Sequence, residues 1–222
     1  MEKQINRHSL IQEYYVLAID KNGNLPMMYK DKAKTGFVVA GIIDLWLNNI
    51  IMIEKKKITV IKNLPDTLKH ISSLYAYLDD KPHTINKIMS DYMFSTNKRI
   101  KQLITDIGES LYMEHISIKK KGGIFSNQIL YIPEKTYQMK LIENIKLEMK
   151  ESDISFDVTA FMTILKQTKI LNHYFSQYEQ KKMREKLKDI NKTAENKLMV
   201  DMIHCFDDIG AIALFYMIIN VC

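Results

Sequence analysis

Residues 36–61, GFVVAGIIDLWLNNIIMIEKKKITVI, contain both kinds of secondary structure from which this chain is built. Apolar residues recur at helical spacing in the first half, namely Phe37, Val38, Gly41, Ile42, Leu45 and Trp46. This spacing predicts a helix from Asp31 to Asn48, with Asp31 as its N-cap. An Asn-Asn pair ends the helix, and two β-prone runs, 50–54 and 58–61, then flank three lysines. The pattern predicts a β-hairpin with a basic tip.

The segments on either side of this stretch carry further helix signals. Upstream, Ser9 followed by Gln12 resembles a capping box, and apolar residues then recur at helical spacing until the turn-forming residues 20–23. Downstream, the pattern predicts a helix over 66–78 and another that begins with Thr84 as its cap. The sequence therefore predicts four helices around the first hairpin.

A basic amphipathic helix is predicted to begin near Ser95. Its apolar stripe is formed by Ile100, Leu103, Ile104, Ile107 and Leu111. Lys98 points away from that stripe and Lys101 flanks it, so both amines can face solvent or a ligand. A second hairpin is predicted to follow, with strands over 116–119 and 128–132. Three lysines form its predicted tip, beside two apolar residues.

The remainder of the chain is predicted to be helical. The predicted helices cover residues 136–150, 157–174, 176–191 and 194–222. No linker rich in Pro or Ser divides the chain, and its seven Gly and four Pro argue against a loop-rich all-β fold. The expected fold class is mainly α. We expect a single globular helical domain over 9–222 with about two short β-hairpins at its edge, preceded by a flexible N-terminal tail over 1–8.

The charge balance favours a partner that carries phosphate. Lys and Arg number 32 and Asp and Glu number 26, which gives a formal net charge of +6. A mildly basic surface attracts phosphate in lipid or nucleic acid, although a solvated Lys-rich surface has the same composition. The first nine residues are polar, and the longest apolar run, 209–222, is shorter than the roughly 20 residues of a membrane span. These features predict a cytoplasmic protein that can lie peripherally on the cytoplasmic face of a membrane.

The sequence contains no recognisable motif of an active site or a metal site. The sequence contains no G-x-x-x-x-G-K-[ST] loop, H-E-x-x-H pair or G-x-S-x-G turn. Its six His are scattered without ligand spacing, and Cys205 and Cys222 are too few for a disulfide framework or a zinc site. We therefore expect no catalytic residues, no metal and no cofactor, and we expect that the protein is not an enzyme.

Two segments resemble a known family. Residues 10–23, LIQEYYVLAIDKNG, are similar to the opening helix and turn of the Golgi phosphoprotein 3 family, and residues 39–54, VAGIIDLWLNNIIMIE, resemble its next helix and hairpin entry. Asn48 and Asn49 stand where that family has a Gly-Arg pair. The later order of a basic helix, a hairpin and an all-helical half also matches. The likeness covers about residues 8–222 and depends on pattern more than on identity.

The resemblance implies a peripheral membrane protein that binds phosphatidylinositol 4-phosphate and, as an adaptor, the tail of a membrane protein. It places the family's pocket Trp at Tyr29, its helix-two Arg at Val38 and its basic pair at Lys98 and Lys101, with Arg99 as the alternative if the register shifts by one. Lysine binds phosphate as a point charge, without the bidentate fork of Arg. The alternatives for the missing Arg are nearby lysines, namely Lys30, Lys32 and Lys34.

The tip of the second hairpin indicates membrane contact independently of the resemblance. Lys119, Lys120 and Lys121 put three cations next to Ile124 and Phe125 on a turn that Gly residues permit. Each lysine near an anionic surface contributes about 1 kcal/mol, which gives a weak and salt-sensitive attachment. The alternative is that the two apolar side chains pack on a neighbouring helix or on a second subunit, which makes the 116–132 hairpin a candidate contact between subunits.

Two other classes of function remain open. A helix followed by a hairpin with a basic tip is also what a winged-helix domain presents to DNA. Arginine dominates the reading of base edges, however, and the chain has only Arg7, Arg99 and Arg184, which disfavours nucleic acid. A protein-only scaffold, with the apolar hairpin or the Lys-rich helix near residues 181–188 as its contact surface, is the second alternative.

Overall fold

A computed structural model describes residues 8–54, 57–93, 97–122, 128–151 and 154–190. The helices are α1 (Leu10–Ala18), α2 (Lys30–Leu47), α3 (Ser72–Asp79), α4 (Ile85–Met93), α5 (Lys98–Met113), α6 (Lys135–Glu148), α7 (Phe156–Gln167), α8 (Leu171–Tyr174) and α9 (Gln177–Ile190). The strands are β1 (Ile51–Glu54), β2 (Lys57–Val60), β3 (His83–Thr84), β4 (Ser117–Gly122) and β5 (Gln128–Pro133). Two 3₁₀ segments, Met27–Tyr29 and Asp66–Ile71, precede α2 and α3. The predicted fold class, mainly α with short hairpins, is confirmed.

Helix α1 begins with the predicted capping box and lies inside the molecule. The Ser9 hydroxyl accepts the Gln12 backbone N–H at 3.4 Å, and the Gln12 side-chain oxygen accepts the Ser9 N–H at 3.1 Å. A second cap comes from α2, because the Asp44 carboxylate accepts the N–H groups of Leu10 and Ile11, each at 2.9 Å. Every residue of α1 is buried, so this helix is a central element rather than a surface one.

Helix α2 crosses α1 closely at a glycine. A Cβ atom on Gly36 would overlap the phenol ring of Tyr14 and would lie 2.8 Å from Cγ2 of Thr168. The Tyr14 hydroxyl donates a hydrogen bond to the carbonyl oxygen of Ala33 at 3.0 Å, one turn earlier on α2. Burial raises the pKa of Tyr14 well above its ordinary value, and the neighbouring Thr168 side chain lowers it by a smaller amount. The absence of a side chain at Gly36 therefore allows the N-terminal half of α2 to pack directly on α1.

The start of α2 differs from the prediction. The helix begins at Lys30, and Tyr29 occupies the N-cap position with φ −125° and ψ 24°. The predicted cap, Asp31, lies in the first turn and forms an ion pair of 3.1 Å with Lys34. The prediction of Asp31 as the cap is wrong because the 3₁₀ segment Met27–Tyr29 runs directly into the helix and moves its start forward.

Other predicted helices agree with the structure except at two places. The helix predicted over 66–78 begins as the 3₁₀ segment Asp66–Ile71 and becomes α-helical only from Ser72. Thr84 caps α4 as expected, since its hydroxyl accepts the Lys87 N–H at 3.3 Å. The helix predicted over 157–174 is instead two helices, because Lys169 adopts φ 66° between them. A left-handed residue interrupts the helical hydrogen-bond pattern, and the apolar periodicity on both sides hid this break. The predicted helix over 194–222 lies outside the described residues.

The first hairpin is present as predicted and carries one additional strand. β1 and β2 pair antiparallel, with Ile51 opposite Val60, and β3 pairs with the other edge of β2. The strand β3 consists of two residues, His83 and Thr84, and no sequence pattern predicted it. Its pairing depends on a contact 25 residues away, between Ile58 and His83, so local patterns could not reveal it.

The second hairpin is longer than predicted, and this corrects the position of its lysines. β4 and β5 pair antiparallel from Ser117 opposite Pro133 to Gly122 opposite Gln128. Lys119, Lys120 and Lys121 therefore lie within a strand rather than at the tip, opposite the β-prone residues 129–131. Long lysine stems are tolerated on an exposed strand, and their charges discourage pairing with another chain. Ile124 and Phe125 lie outside the described residues.

One hydrophobic cluster connects the helices and both sheets. It extends from Leu10 in α1 to Leu187 in α9, and α2 contacts α1, α4, α5 and α7 at its centre. The turn before α2 is also anchored, because a Cβ on Gly23 would lie 2.9 Å from Cβ of Leu130 in β5. Within the described ranges, no helix is both long and apolar enough to cross a bilayer.

Candidate membrane-binding site

The starts of two helices meet through a lysine. The Lys34 amine, in the second turn of α2, donates to the Asn97 side-chain oxygen at 3.2 Å and to Asp31 at 3.1 Å. Asn97 occupies the N-cap position of α5 with φ 56°, a conformation that asparagine tolerates better than most residues. Neither N-cap residue, Tyr29 of α2 or Asn97 of α5, makes a side-chain hydrogen bond to its own helix. The N-terminal end of a helix dipole is positive and attracts anions.

The side chains around these helix starts are strongly basic. Residues 30–34 and 98–101 contain five lysines, one arginine and a single aspartate. Lys30 and Lys32 are exposed at the start of α2, and Lys98 and Lys101 are exposed at the start of α5. The structure therefore brings the predicted basic pair, Lys98 and Lys101, next to the helix that carries the other lysines. We call this set of residues, 30–34 and 97–101, the basic face.

Of the other residues that the resemblance implies, Val38 is not available to a ligand, whereas Tyr29 adjoins the basic face. Val38 is 0% exposed and belongs to the core, so its position cannot contact a headgroup. Lys34 is four residues before Val38 and therefore lies on the same side of α2. Its amine contacts Asn97. Tyr29 is half-buried and immediately precedes α2.

Arg99 takes part in a separate cluster on α3 and α4. Its guanidinium lies 5.1 Å from the ring centroid of Tyr77, whose hydroxyl donates to the Asp91 carboxylate at 2.8 Å. Lys87 pairs with the same carboxylate at 2.6 Å. Burial raises the pKa of Tyr77 above its ordinary value, and its hydrogen bond to Asp91 raises it further. Arg99 is therefore held against its own chain, although the side chain is exposed.

An exposed apolar pair, which was not predicted from the sequence, borders the basic face. Met27 is 93% exposed and Met28 is 81% exposed, more than any other large apolar side chain in the described ranges. Both lie in the 3₁₀ segment that leads into α2, directly before Lys30. The sequence pattern that could have indicated this exposure is an apolar pair between Pro26 and the lysine-rich residues 30–34. Composition alone, however, does not show whether other parts of the fold bury such a pair.

The lysines of β4 form a second basic patch. The Lys119 amine lies 5.7 Å from the ring centroids of both Tyr112 and Tyr131, which is cation–π geometry. Lys120 and Lys121 are exposed. Tyr112 is near the end of α5 and Lys98 at its start, about 20 Å apart along the helix axis. The structure therefore does not bring Lys119 into the basic face.

A cavity of about 290 Å³ lies at the start of α1, and sequence reasoning did not predict it. Its lining includes Ser9, Glu13, Asp44 and Asp157 together with apolar side chains. Burial raises the pKa of Asp44 to about 7, although the hydrogen bonds that it accepts from two backbone N–H groups lower this pKa. Both oxygens of Asp44 accept hydrogen bonds from the start of α1, so the structure accounts for this buried carboxyl as a cap of that helix.

The described residues contain no candidate metal site beside the basic face. Among the residues that the structure describes, no group of three or more His, Cys, Asp or Glu side chains is arranged to hold a metal ion. No protein-family model matches the chain, and no curated protein matches it. The likeness to the Golgi phosphoprotein 3 family stays a prediction.

Proposed function

We propose that this chain is a peripheral membrane protein that recognises anionic phospholipid headgroups. The observation that supports this most strongly is the contact between Lys34 and Asn97, which joins the starts of α2 and α5 into one basic face. The exposed pair Met27 and Met28 lies at the edge of that face. A surface that combines cations, helix N-termini and apolar side chains is complementary to phosphate above a hydrocarbon layer.

The charges of the basic face contribute to a weak and reversible attachment. Each lysine near an anionic leaflet contributes about 1 kcal/mol, so the four exposed lysines give about 4 kcal/mol before the costs of binding. The ion pair of Lys34 with Asp31 reduces the field, because it places one carboxylate within the face. Such attachment weakens as salt is added, since exposed charges are screened beyond about 10 Å at 0.1 M ionic strength.

The headgroup class follows from the type of cation. Lysines and backbone N–H groups bind phosphate without the planar fork that arginine offers, so the face suits phosphate in general. A monoester phosphate carries more charge than a diester, and a phosphoinositide such as phosphatidylinositol 4-phosphate, which the resemblance implies, therefore belongs to the proposed ligands. The resemblance also proposes a membrane-protein tail as a further partner, on the cytoplasmic side.

Vesicle co-sedimentation tests this function. Wild-type protein is mixed with vesicles of neutral lipid, of graded anionic lipid, and of anionic lipid with phosphoinositide. We expect binding that rises with anionic lipid and falls as salt is added. Binding that is equal on neutral and anionic vesicles, or absent from both, would contradict the proposal. Retardation of duplex DNA in a gel without any vesicle binding would assign the basic face to nucleic acid instead.

Substitution then locates the site. We expect Lys98→Ala/Lys101→Ala to reduce binding to anionic vesicles about 30-fold, from about 1 kcal/mol for each lysine. The matched control is Lys181→Ala/Arg184→Ala, which removes the same charge from exposed positions on α9. Helix α9 packs on α7 and α8, away from the start of α5. Equal losses in the two variants would mean that net charge, and not the basic face, carries the attachment.

A further inference from the structure

The two exposed methionines are presented by an anchored turn. Before them, the Asp20 carboxylate accepts the N–H groups of Asn22 and Asn24 at 2.9 and 2.8 Å. Gly23 in this turn packs against Leu130 of β5, and the turn thus rests on the second hairpin. Leu25 packs against the core. The chain is held on both sides of the pair, so its exposure results from the backbone path.

The next turn fixes the direction of the pair. Pro26 has φ −54°, and its carbonyl oxygen accepts the Tyr29 N–H at 3.1 Å, which closes the 3₁₀ segment. α2 begins at the following residue, Lys30. Met27 and Met28 therefore lie at the corner where the anchored turn enters the helix, and Lys30 and Lys32 follow them after Tyr29. Two adjacent methionines left in water forgo the stabilisation that burial of their side chains would give.

Charge decides which occupant covers this pair. Lys30 and Lys32 follow it on α2, and Lys98 and Lys101 lie on the neighbouring start of α5. If a second copy of the chain covered the pair through a symmetric contact, these lysines would face their own counterparts and repel them. An anionic bilayer offers both complements at once, because its phosphates match the lysines and its acyl chains match the thioethers.

We infer that Met27 and Met28 insert into the acyl-chain region of an anionic bilayer while the basic face contacts the headgroup phosphates. This inference rests on the proposed function and names the part of the protein that enters the membrane. Methionine is unbranched and adapts to irregular apolar surroundings, which suits insertion among lipid chains. The pair acts as a shallow wedge, since it projects from a corner of the fold by only two side chains.

Insertion is measured by quenching from brominated acyl chains. The chain has one tryptophan, Trp46, which packs against Phe156 at 5.4 Å between ring centroids. In a Trp46→Phe background, Met28→Trp carries the reporter at the wedge, and Tyr178→Trp carries it at an exposed position on α9. We expect brominated anionic vesicles to quench the Met28→Trp reporter and to leave the α9 reporter unchanged. Equal fluorescence of the Met28→Trp reporter with brominated and ordinary vesicles would overturn the inference.

Affinity provides a second measurement that does not need a reporter. We expect Met27→Ser/Met28→Ser to lower the partition coefficient on anionic vesicles about 100-fold, which is about tenfold for each methionine removed from hydrocarbon. Met113→Ser/Met139→Ser changes two exposed methionines elsewhere and should leave partitioning unchanged. If wild-type protein ignores all vesicles, the proposed function fails. If it binds and the Met27→Ser/Met28→Ser variant binds equally well, only the wedge fails.

Discussion

Gly36→Ala tests how firmly the start of α2 is fixed to the core. The added Cβ would overlap the ring of Tyr14 and would lie 2.8 Å from Cγ2 of Thr168. The Tyr14 ring is fully buried, and its hydroxyl holds the carbonyl of Ala33 at 3.0 Å. Neither the ring nor the helix can move away without disturbing the contact between α1 and α2.

The expected loss of stability follows from three contributions. Overpacking of a filled core costs about 1–3 kcal/mol, and displacement of the Tyr14 hydroxyl from its acceptor costs about 1 kcal/mol more. Replacing Gly by Ala within a helix returns about 1 kcal/mol. Because the overlap at Gly36 is with a rigid ring, we expect the free energy of unfolding to fall by about 2–3 kcal/mol.

Urea unfolding followed by circular dichroism measures this difference. Gly41→Ala is the matched control on the same helix, because its Cβ would meet the ends of two flexible side chains, Leu74 at 2.7 Å and Ile11 at 3.1 Å. We expect the control to lose clearly less stability than Gly36→Ala. A Gly36→Ala protein as stable as wild type would refute the close packing of α1 on α2, and with it the placement of the basic face.

Three further predictions concern pH, charge and oxidation. Burial raises the pKa of Asp44 to about 7, so between about pH 4 and pH 7 the folded chain holds a proton that the unfolded chain has released. The stability that this group contributes therefore falls as pH rises through that window. In urea unfolding, the free energy of unfolding of wild type should fall with pH relative to that of Asp44→Asn. Parallel pH profiles of the two proteins would contradict this. Asp31→Asn removes the one carboxylate of residues 30–34 and should strengthen anionic-vesicle binding about fivefold by co-sedimentation, whereas weaker binding would show that Asp31 orients Lys34 productively. Mild peroxide should convert Met27 and Met28 to sulfoxides early and lower vesicle binding, and methionine sulfoxide reductases should restore it, while oxidised protein that binds normally would argue against the wedge.

The local features of the fold were predictable from the sequence. The capping box at Ser9, the buried stripe of α5 and both hairpins follow from short-range spacing, because a cap or an apolar face is specified within a few residues. Two errors arose where the backbone departs from the α-helix without any change in the spacing of apolar residues. The 3₁₀ segment before Lys30 displaced the cap from Asp31, and the left-handed residue Lys169 divided a helix whose periodicity looked continuous.

The candidate site was predictable only in part. Lys98 and Lys101 stand out by their position on an amphipathic helix, and the structure finds both exposed. The contact that makes them part of a larger face joins Lys34 to Asn97, 63 residues away, and no local pattern contains it. The exposure of Met27 could not be predicted either, because burial depends on which other elements fold over a residue.

The central claim is that the basic face attaches the protein to anionic lipid. The most direct measurement compares two charge reversals of equal size, Lys98→Glu/Lys101→Glu on the face and Lys181→Glu/Arg184→Glu on α9, by co-sedimentation with anionic vesicles at one salt concentration. We predict that the first protein stays in the supernatant while the second sediments with the vesicles nearly as wild type does. Equal binding by the two proteins, whether retained or lost, would contradict the claim.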